Sequence, residues 1–338
     1  MALPWAARRV LMPVVVALEL ALLPVMAVLM VVGAVFGLVD RRLRVLRLAA
    51  MAAAYISVEV LTLLLLLGVW VGRPLRGRDW WDRSNLRLVA WALGGVLGAA
   101  KRTVGFTVSM NEPPAGQDTP LDVPGPVLVM ARHGGIGDSF TLVWLLAARY
   151  GRRPRVVLKS LLLWEPMIDV ALTRMRACFL PPAARRGEGL DRRVAAVASD
   201  LDERDALLLF PEGGNWTPRR RLRAIGRLWA ARKPEAVKAA ALMEHVLPPR
   251  TGGVLACLDA RPELPVVVFA HTGLDKLTTA GEVWKALPFS DPMTVRWWPA
   301  PTAPTDEDGR VAWLTAEWAV IDEWIDATRA SQGAVTRA

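Results

Sequence analysis

The chain has 338 residues, 53% hydrophobic and 22% charged, with a positive mean hydropathy, which excludes a disordered or fibrous protein and admits a membrane segment. That length suits one domain of about 200 residues with further segments attached. A net charge of +10, from 42 basic against 32 acidic residues, implies an anionic partner, either lipid headgroups or nucleic acid. Two cysteines, Cys178 and Cys257, and three histidines exclude a disulfide framework and a four-ligand zinc site, so no metal is expected.

From Val10 to Val39 the only charge is Glu19, and Leu20 to Val39 alone gives a helix about 30 Å long. This exceeds the apolar core of about 7–15 residues in a cleaved signal peptide. A second apolar run, Leu48 to Val71, follows, so residues 10–72 read as a membrane helical hairpin behind a short cytoplasmic N-terminus, residues 1–9. Arg8, Arg9, Arg73, Arg76, Arg78, Arg83 and Arg87 flank the hairpin, against Arg41, Arg42, Arg44 and Arg47 in its turn. That bias predicts cytoplasmic ends in a cell membrane, the inner membrane if bacterial. A turn this basic also suits a re-entrant hairpin that dips into one leaflet. Residues 73–105 read as an interfacial linker, with Trp70, Trp80 and Trp81 at belt positions and Leu86 to Ala100 as a helix lying on the bilayer.

Residues 106–300 change to short apolar runs bounded by Pro and Gly. Phe106–Val108, Val127–Met130, Val156–Leu158, Ala206–Phe210 and Val266–Ala270 read as strands. Phe140–Tyr150, Pro166–Met175 and Asp191–Leu201 read as helices between them. The alternation predicts an α/β fold with a central, mostly parallel sheet flanked by helices and preceded by the hydrophobic hairpin. In residues 301–338, Val311, Leu314, Trp318, Ile321 and Ile325 share one helical face, predicting an amphipathic helix packed on the preceding domain.

Two constellations carry candidate chemistry. Arg132-His133-Gly134-Gly135-Ile136-Gly137-Asp138 runs from a strand into a helix. His133 suits a general base, and Asp138 either orients the imidazole or caps the helix. Phe210-Pro211-Glu212-Gly213-Gly214-Asn215 again follows a strand. Glu212 either receives a polar substrate or belongs to a turn closed by Gly-Gly. Between Gly213 and Pro234 lie Arg219, Arg220, Arg221, Arg223, Arg227, Arg232 and Lys233 with no acidic residue, a run that reads as a solvated face or as a match for anionic headgroups.

On these residues the chain resembles the glycerolipid acyltransferase superfamily of lysophosphatidic acid acyltransferases. His133 and Asp138 match its first motif, and Phe210, Pro211, Glu212 and Gly213 its Phe-Pro-Glu-Gly motif; Lys159 and the strand Leu264–Phe269 match the family order. The segment His245-Val246-Leu247-Pro248-Pro249-Arg250-Thr251-Gly252, with Trp313 and Leu314, is similar to the lysocardiolipin and lysophosphatidylinositol acyltransferase branch. Two departures stand out: Pro181 and Pro182 follow Phe179-Leu180, and Gly214-Asn215 follow Gly213, where arginines that bind phosphate are usual. Arg132 replaces the usual Asn and would lower the His133 pKa if their side chains met.

The resemblance implies transfer of a fatty acyl group from acyl-CoA or an acyl carrier protein, as co-substrate, to a lysophospholipid hydroxyl. It implies His133 as general base and Asp138 as its support, with oxyanion stabilisation from loop N–H groups and no cofactor. Glu212 and Gly213 would hold the acceptor, with Lys159, Arg219, Arg220 and Arg250 as further binding candidates. Other acceptors stay open: lysophosphatidic acid, glycerol phosphate or an inositol-mannoside lipid. So does a non-catalytic basic membrane adapter. No nucleic-acid module is legible.

Overall fold

The computed structural model describes residues 5–111, 119–135, 137–180, 189–275, 277 and 279–335. Ile136, Pro181, Pro182, Arg185 and Arg186 lie outside the described residues. In chain order the elements are α1 (Trp5–Phe36), α2 (Arg44–Val104), β1 (Val108–Asn111), β2 (Val127–Ala131), α3 (Asp138–Trp144), β3 (Arg153–Lys159), α4 (Pro166–Arg174) and β4 (Cys178–Leu180). Then follow α5 (Leu190–Ser199), β5 (Asp205–Leu209), α6 (Pro218–Ala230), α7 (Pro234–Leu242), α8 (Gly252–Ala260), β6 (Val266–Thr272), α9 (Ala280–Ala286), β7 (Met293–Pro299) and α10 (Glu307–Val335). They form two compact units. One holds Met1–Thr107, Phe140–Gly187 and Ala280–Pro292; the other holds Val108–Ser139, Glu188–Thr279 and Met293–Ala338.

In the first unit, α1 and α2 pack together and are both long and apolar enough to cross a membrane. A Cβ at Gly33 would stand 2.5 Å from the Leu46 backbone nitrogen, so glycine permits this approach. α2 breaks at Gly77 (φ 75°, ψ 179°), just after Pro74. Its two arms then lie side by side: Arg47 donates to the Thr103 carbonyl at 2.7 Å, and the Thr103 hydroxyl lies 3.5 Å from Met51 Sδ. Residues 86–100, expected as a surface-lying helix, belong to the second arm. Val89, Ala92, Leu93, Val96 and Ala100, at helical spacing, are buried there. By contrast α1 buries only Gly33 and leaves Val10, Leu18, Val28 and Val31 exposed. The buried Glu59 meets the start of α4, accepting from the Met167 N–H at 3.4 Å, and Tyr55 donates to Glu165. β3 and β4 pair in parallel, with Val157 opposite Cys178.

In the second unit the strands run in the order β1-β7-β6-β2-β5. All pairings there are parallel except β6 with β7, so the mostly parallel α/β architecture stands. Every residue of β2, β5 and β6 is buried, which is why each carries an unbroken apolar run, Val127–Ala131, Ala206–Leu209 and Val266–Ala270. Leu314, Trp318, Ile321 and Ile325 of α10 are 0% exposed, and α10 packs on β6. Met130 of β2 pairs with Leu209 of β5, and Ala131 with Phe269 of β6. Three loops therefore leave neighbouring strand ends together, at the carboxyl edge where open parallel sheets place their sites.

Candidate active site

The loop after β2 turns back on itself and is closed by one carboxylate. Asp138 Oδ2 lies 2.8 Å from His133 Nδ1 and accepts the N–H groups of Gly134 at 2.9 Å and Gly135 at 3.2 Å. Its Oδ1 accepts the Ser139 N–H at 2.5 Å and the Ser139 hydroxyl at 3.1 Å. Burial works to raise the Asp138 pKa, but the His133 hydrogen bond, the charges of His133 and His271 and the Gly135 amide outweigh it and hold the carboxyl below its ordinary value. An ionised Asp138 requires the proton on His133 Nδ1, which leaves Nε2 as the basic nitrogen. Orienting the ring and starting α3 are thus one role, since the same carboxylate does both. The loop amides expected to stabilise an oxyanion have another duty at Gly134 and Gly135, whose N–H groups are given to Asp138.

The loop after β5 braces this pair. The Phe210 ring lies 4.7 Å from the His133 ring, centroid to centroid, and the Trp216 N–H donates to the His133 carbonyl at 2.7 Å. Glu212 is 3% exposed, and neither carboxylate oxygen has a partner in full hydrogen-bonding geometry among the described residues. Burial pushes its pKa up to about 8, against the opposing pull of Arg132, the Leu247 amide, the Trp318 indole and the His133 backbone. These groups surround the carboxyl without closing on it. Gly213 has φ +68°, a left-handed conformation suited to glycine, and the Arg250 guanidinium passes 2.9 Å from where a Cβ would stand. The Arg250 N–H donates to the Pro211 carbonyl at 2.8 Å, and Arg220 to the Asn215 carbonyl at 2.9 Å. Gly213, Arg220 and Arg250 therefore gather at one loop, Arg219 is exposed on α6, and Lys159 ends β3 in the other unit.

Beneath the loop lies a layer that sequence reading passed over. His271, at the end of β6, is 0% exposed; its Nε2 lies 3.0 Å from the Arg132 carbonyl and 3.5 Å from Asp138 Oδ2. Since a carbonyl can only accept, Nε2 carries the proton. Burial lowers the His271 pKa and favours this neutral form. Arg132, expected beside the His133 ring, instead sends its guanidinium to the His271 carbonyl at 2.8 Å, the His245 carbonyl at 2.6 Å and an ion pair with Asp275. Arg329 of α10 also pairs with Asp275, at 3.0 Å, and Asp322 accepts the His245 N–H at 2.6 Å. The only signal in sequence was spacing: Trp318, Asp322, Ile325 and Arg329 fall on one helical face.

No curated protein and no solved structure matches the chain. Residues 116–269 match the family model described as Acyltransferase, a span that includes both the His133–Asp138 pair and the Phe210–Gly213 loop. Residues 116–269 are thus similar to an acyltransferase domain.

Proposed function

We propose that this protein is a membrane-held O-acyltransferase that moves a fatty acyl group from acyl-CoA, or an acyl carrier protein, to the free hydroxyl of a lysophospholipid. The observation that carries the reading is the 2.8 Å contact of His133 Nδ1 with a buried, ionised Asp138, which leaves Nε2 as the base. His133 Nε2 takes the acceptor's hydroxyl proton while the oxygen attacks the thioester carbonyl; the tetrahedral intermediate then expels the thiolate, which recovers the proton from His133. Gly213, Arg220 and Arg250, gathered at the loop that braces His133, are the candidates for the acceptor headgroup, with Arg219 and Lys159 as further binding candidates. The buried Glu212 fits a support beneath the loop better than a direct contact. An adapter has no use for an oriented His–Asp pair.

The hairpin reads as the anchor, with the catalytic domain on the cytoplasmic side, and its contacts favour the re-entrant form. Near its start, Arg8 pairs with Asp169 of α4; at its turn, Arg42 donates to the Lys285 carbonyl at 3.0 Å and Arg44 lies over the Trp284 ring of α9. Both ends of α1 thus touch the non-hairpin part of one unit, an arrangement closed to a hairpin whose turn emerges across the bilayer.

Detergent-purified full-length protein, assayed with labelled acyl-CoA against a panel of lysolipids, tests the reading. Pro182 and Asn215 stand where arginines that bind phosphate are usual, so we expect a lysolipid with a larger polar headgroup to be preferred, as in the lysocardiolipin and lysophosphatidylinositol branch. A clear preference for lysophosphatidic acid would overturn the branch assignment, and no transfer to any acceptor would overturn the activity.

A further inference from the structure

Helix α6 grows directly out of the candidate catalytic loop. Trp216 is bonded to His133, Thr217 caps the helix by accepting the Arg220 N–H at 3.2 Å, and Pro218 opens the first turn. Its inner side is accounted for. Ala224 is buried, and Arg221 donates to the carbonyls of Met243 at 2.6 Å and Ala241 at 2.8 Å, tying α6 to the end of α7.

The outer side has two stripes. Arg219, Arg223 and Arg227 are exposed and recur every four residues. Beside them, Leu222 and Trp229, seven residues apart, are 66% and 76% exposed, and Leu242 at the end of the adjoining α7 is 76% exposed. Like charges at this spacing destabilise a helix, and no acidic residue lies between Gly213 and Glu235 to offset them. A large apolar pair beside a cationic stripe is the pattern of a helix lying at a lipid–water interface.

We propose that α6 docks on the surface of an anionic lipid bilayer, with Leu222 and Trp229 entering the headgroup boundary and Arg219, Arg223 and Arg227 resting on lipid phosphates. Because α6 begins two residues after Trp216, which is bonded to His133, this contact holds the His133 loop next to the lipid. The docking face does not depend on the acyl-transfer reading or on the hairpin. An acidic protein would satisfy the arginines, but the exposed Leu222 and Trp229 beside them favour a bilayer.

To test this, Trp229→Cys is labelled with bimane in full-length protein whose Cys178 and Cys257 are replaced by alanine, then placed in nanodiscs. One set holds phosphatidylcholine alone; the other holds equal parts phosphatidylcholine and phosphatidylglycerol. Docking predicts blue-shifted emission, quenched by brominated acyl chains, in the mixed nanodiscs and reversed by salt. Each arginine near an anionic surface is worth roughly fivefold in association, so Arg223→Gln with Arg227→Gln should weaken docking about 25-fold. These neutral changes relieve repulsion within α6, so a misfolded helix is not the expected result. Water-like emission in both nanodiscs would overturn the proposal. So would a blue shift that appears only when an acidic carrier protein is added, which would assign the face to a protein partner.

Discussion

The Trp216 N–H donates to the His133 carbonyl at 2.7 Å, joining the loop after β5 to the loop after β2 through the backbone of the base itself. With Phe210 against the His133 ring, the Phe-Pro-Glu-Gly segment holds the imidazole from two sides. The two motifs work as one structure, whatever part the second also takes in binding.

Replacing His133 with alanine should lower the transfer rate by the amount typical of general-base catalysis, about 10²–10⁴-fold. Asp138→Asn should be nearly as damaging. Both Asp138 oxygens face donors, Ser139 on one side and His133, Gly134 and Gly135 on the other. An amide NH₂ must therefore confront an N–H whichever way it turns. Steady-state kinetics of the two single variants and the double variant provide the check: losses that multiply would mean the residues act independently, contrary to a coupled pair.

His271 should act on the same pair from below. Glutamine can present an N–H near the position of Nε2, whereas alanine leaves the Arg132 carbonyl without its partner. His271→Gln should thus keep most of the activity. In His271→Ala the Arg132 carbonyl loses its donor and Asp138 a neighbour, so kcat should fall while KM stays near the wild-type value. An unchanged kcat in folded His271→Ala protein would reduce His271 to packing.

The sheet was legible in the sequence because β2, β5 and β6 are buried on both faces and so appear as plain apolar runs. β7 was not, because Thr294 and the exposed Arg296 interrupt the apolar residues of Met293–Pro299. The His133–Asp138 pair was legible because both partners sit in one short loop. The support from His271, Asp275 and Arg329 was hidden for the opposite reason: Arg132 gathers residues more than a hundred positions away, and no local pattern encodes that contact. Glu212 was legible as a residue but not as a buried one, since burial depends on Trp318 and the loop at Leu247 closing over it.

The hairpin carries a test of topology. A cysteine at the exposed Arg41, in a background lacking Cys178 and Cys257, should resist an impermeant reagent applied to intact cells and react once the membrane is opened, because the neighbouring Arg42 and Arg44 contact α9. Labelling from outside would establish a spanning hairpin instead. Removing residues 1–72 should lower activity on bilayer-embedded acceptor more than on dispersed acceptor; equal losses would count against the hairpin as the device that presents substrate.

Glu212 makes stability depend on pH in a direction opposite to that of an ordinary salt-bridged carboxylate. Burial raises its pKa from 4.5 to about 8, so between those values the folded state binds a proton that the unfolded chain releases. Stability from this group is complete below the unfolded value and is lost as pH rises through the folded one, at up to about 1.4 kcal/mol per pH unit. Glu212→Gln stays neutral throughout, so its unfolding free energy should fall less steeply than that of the wild type between about pH 5 and 8. Paired chemical denaturation curves in detergent across that range measure the difference, and other titrating groups common to both proteins largely cancel. Parallel slopes would mean that Glu212 is ionised in the folded protein, with Arg132, Trp318 and the surrounding amides closing on it.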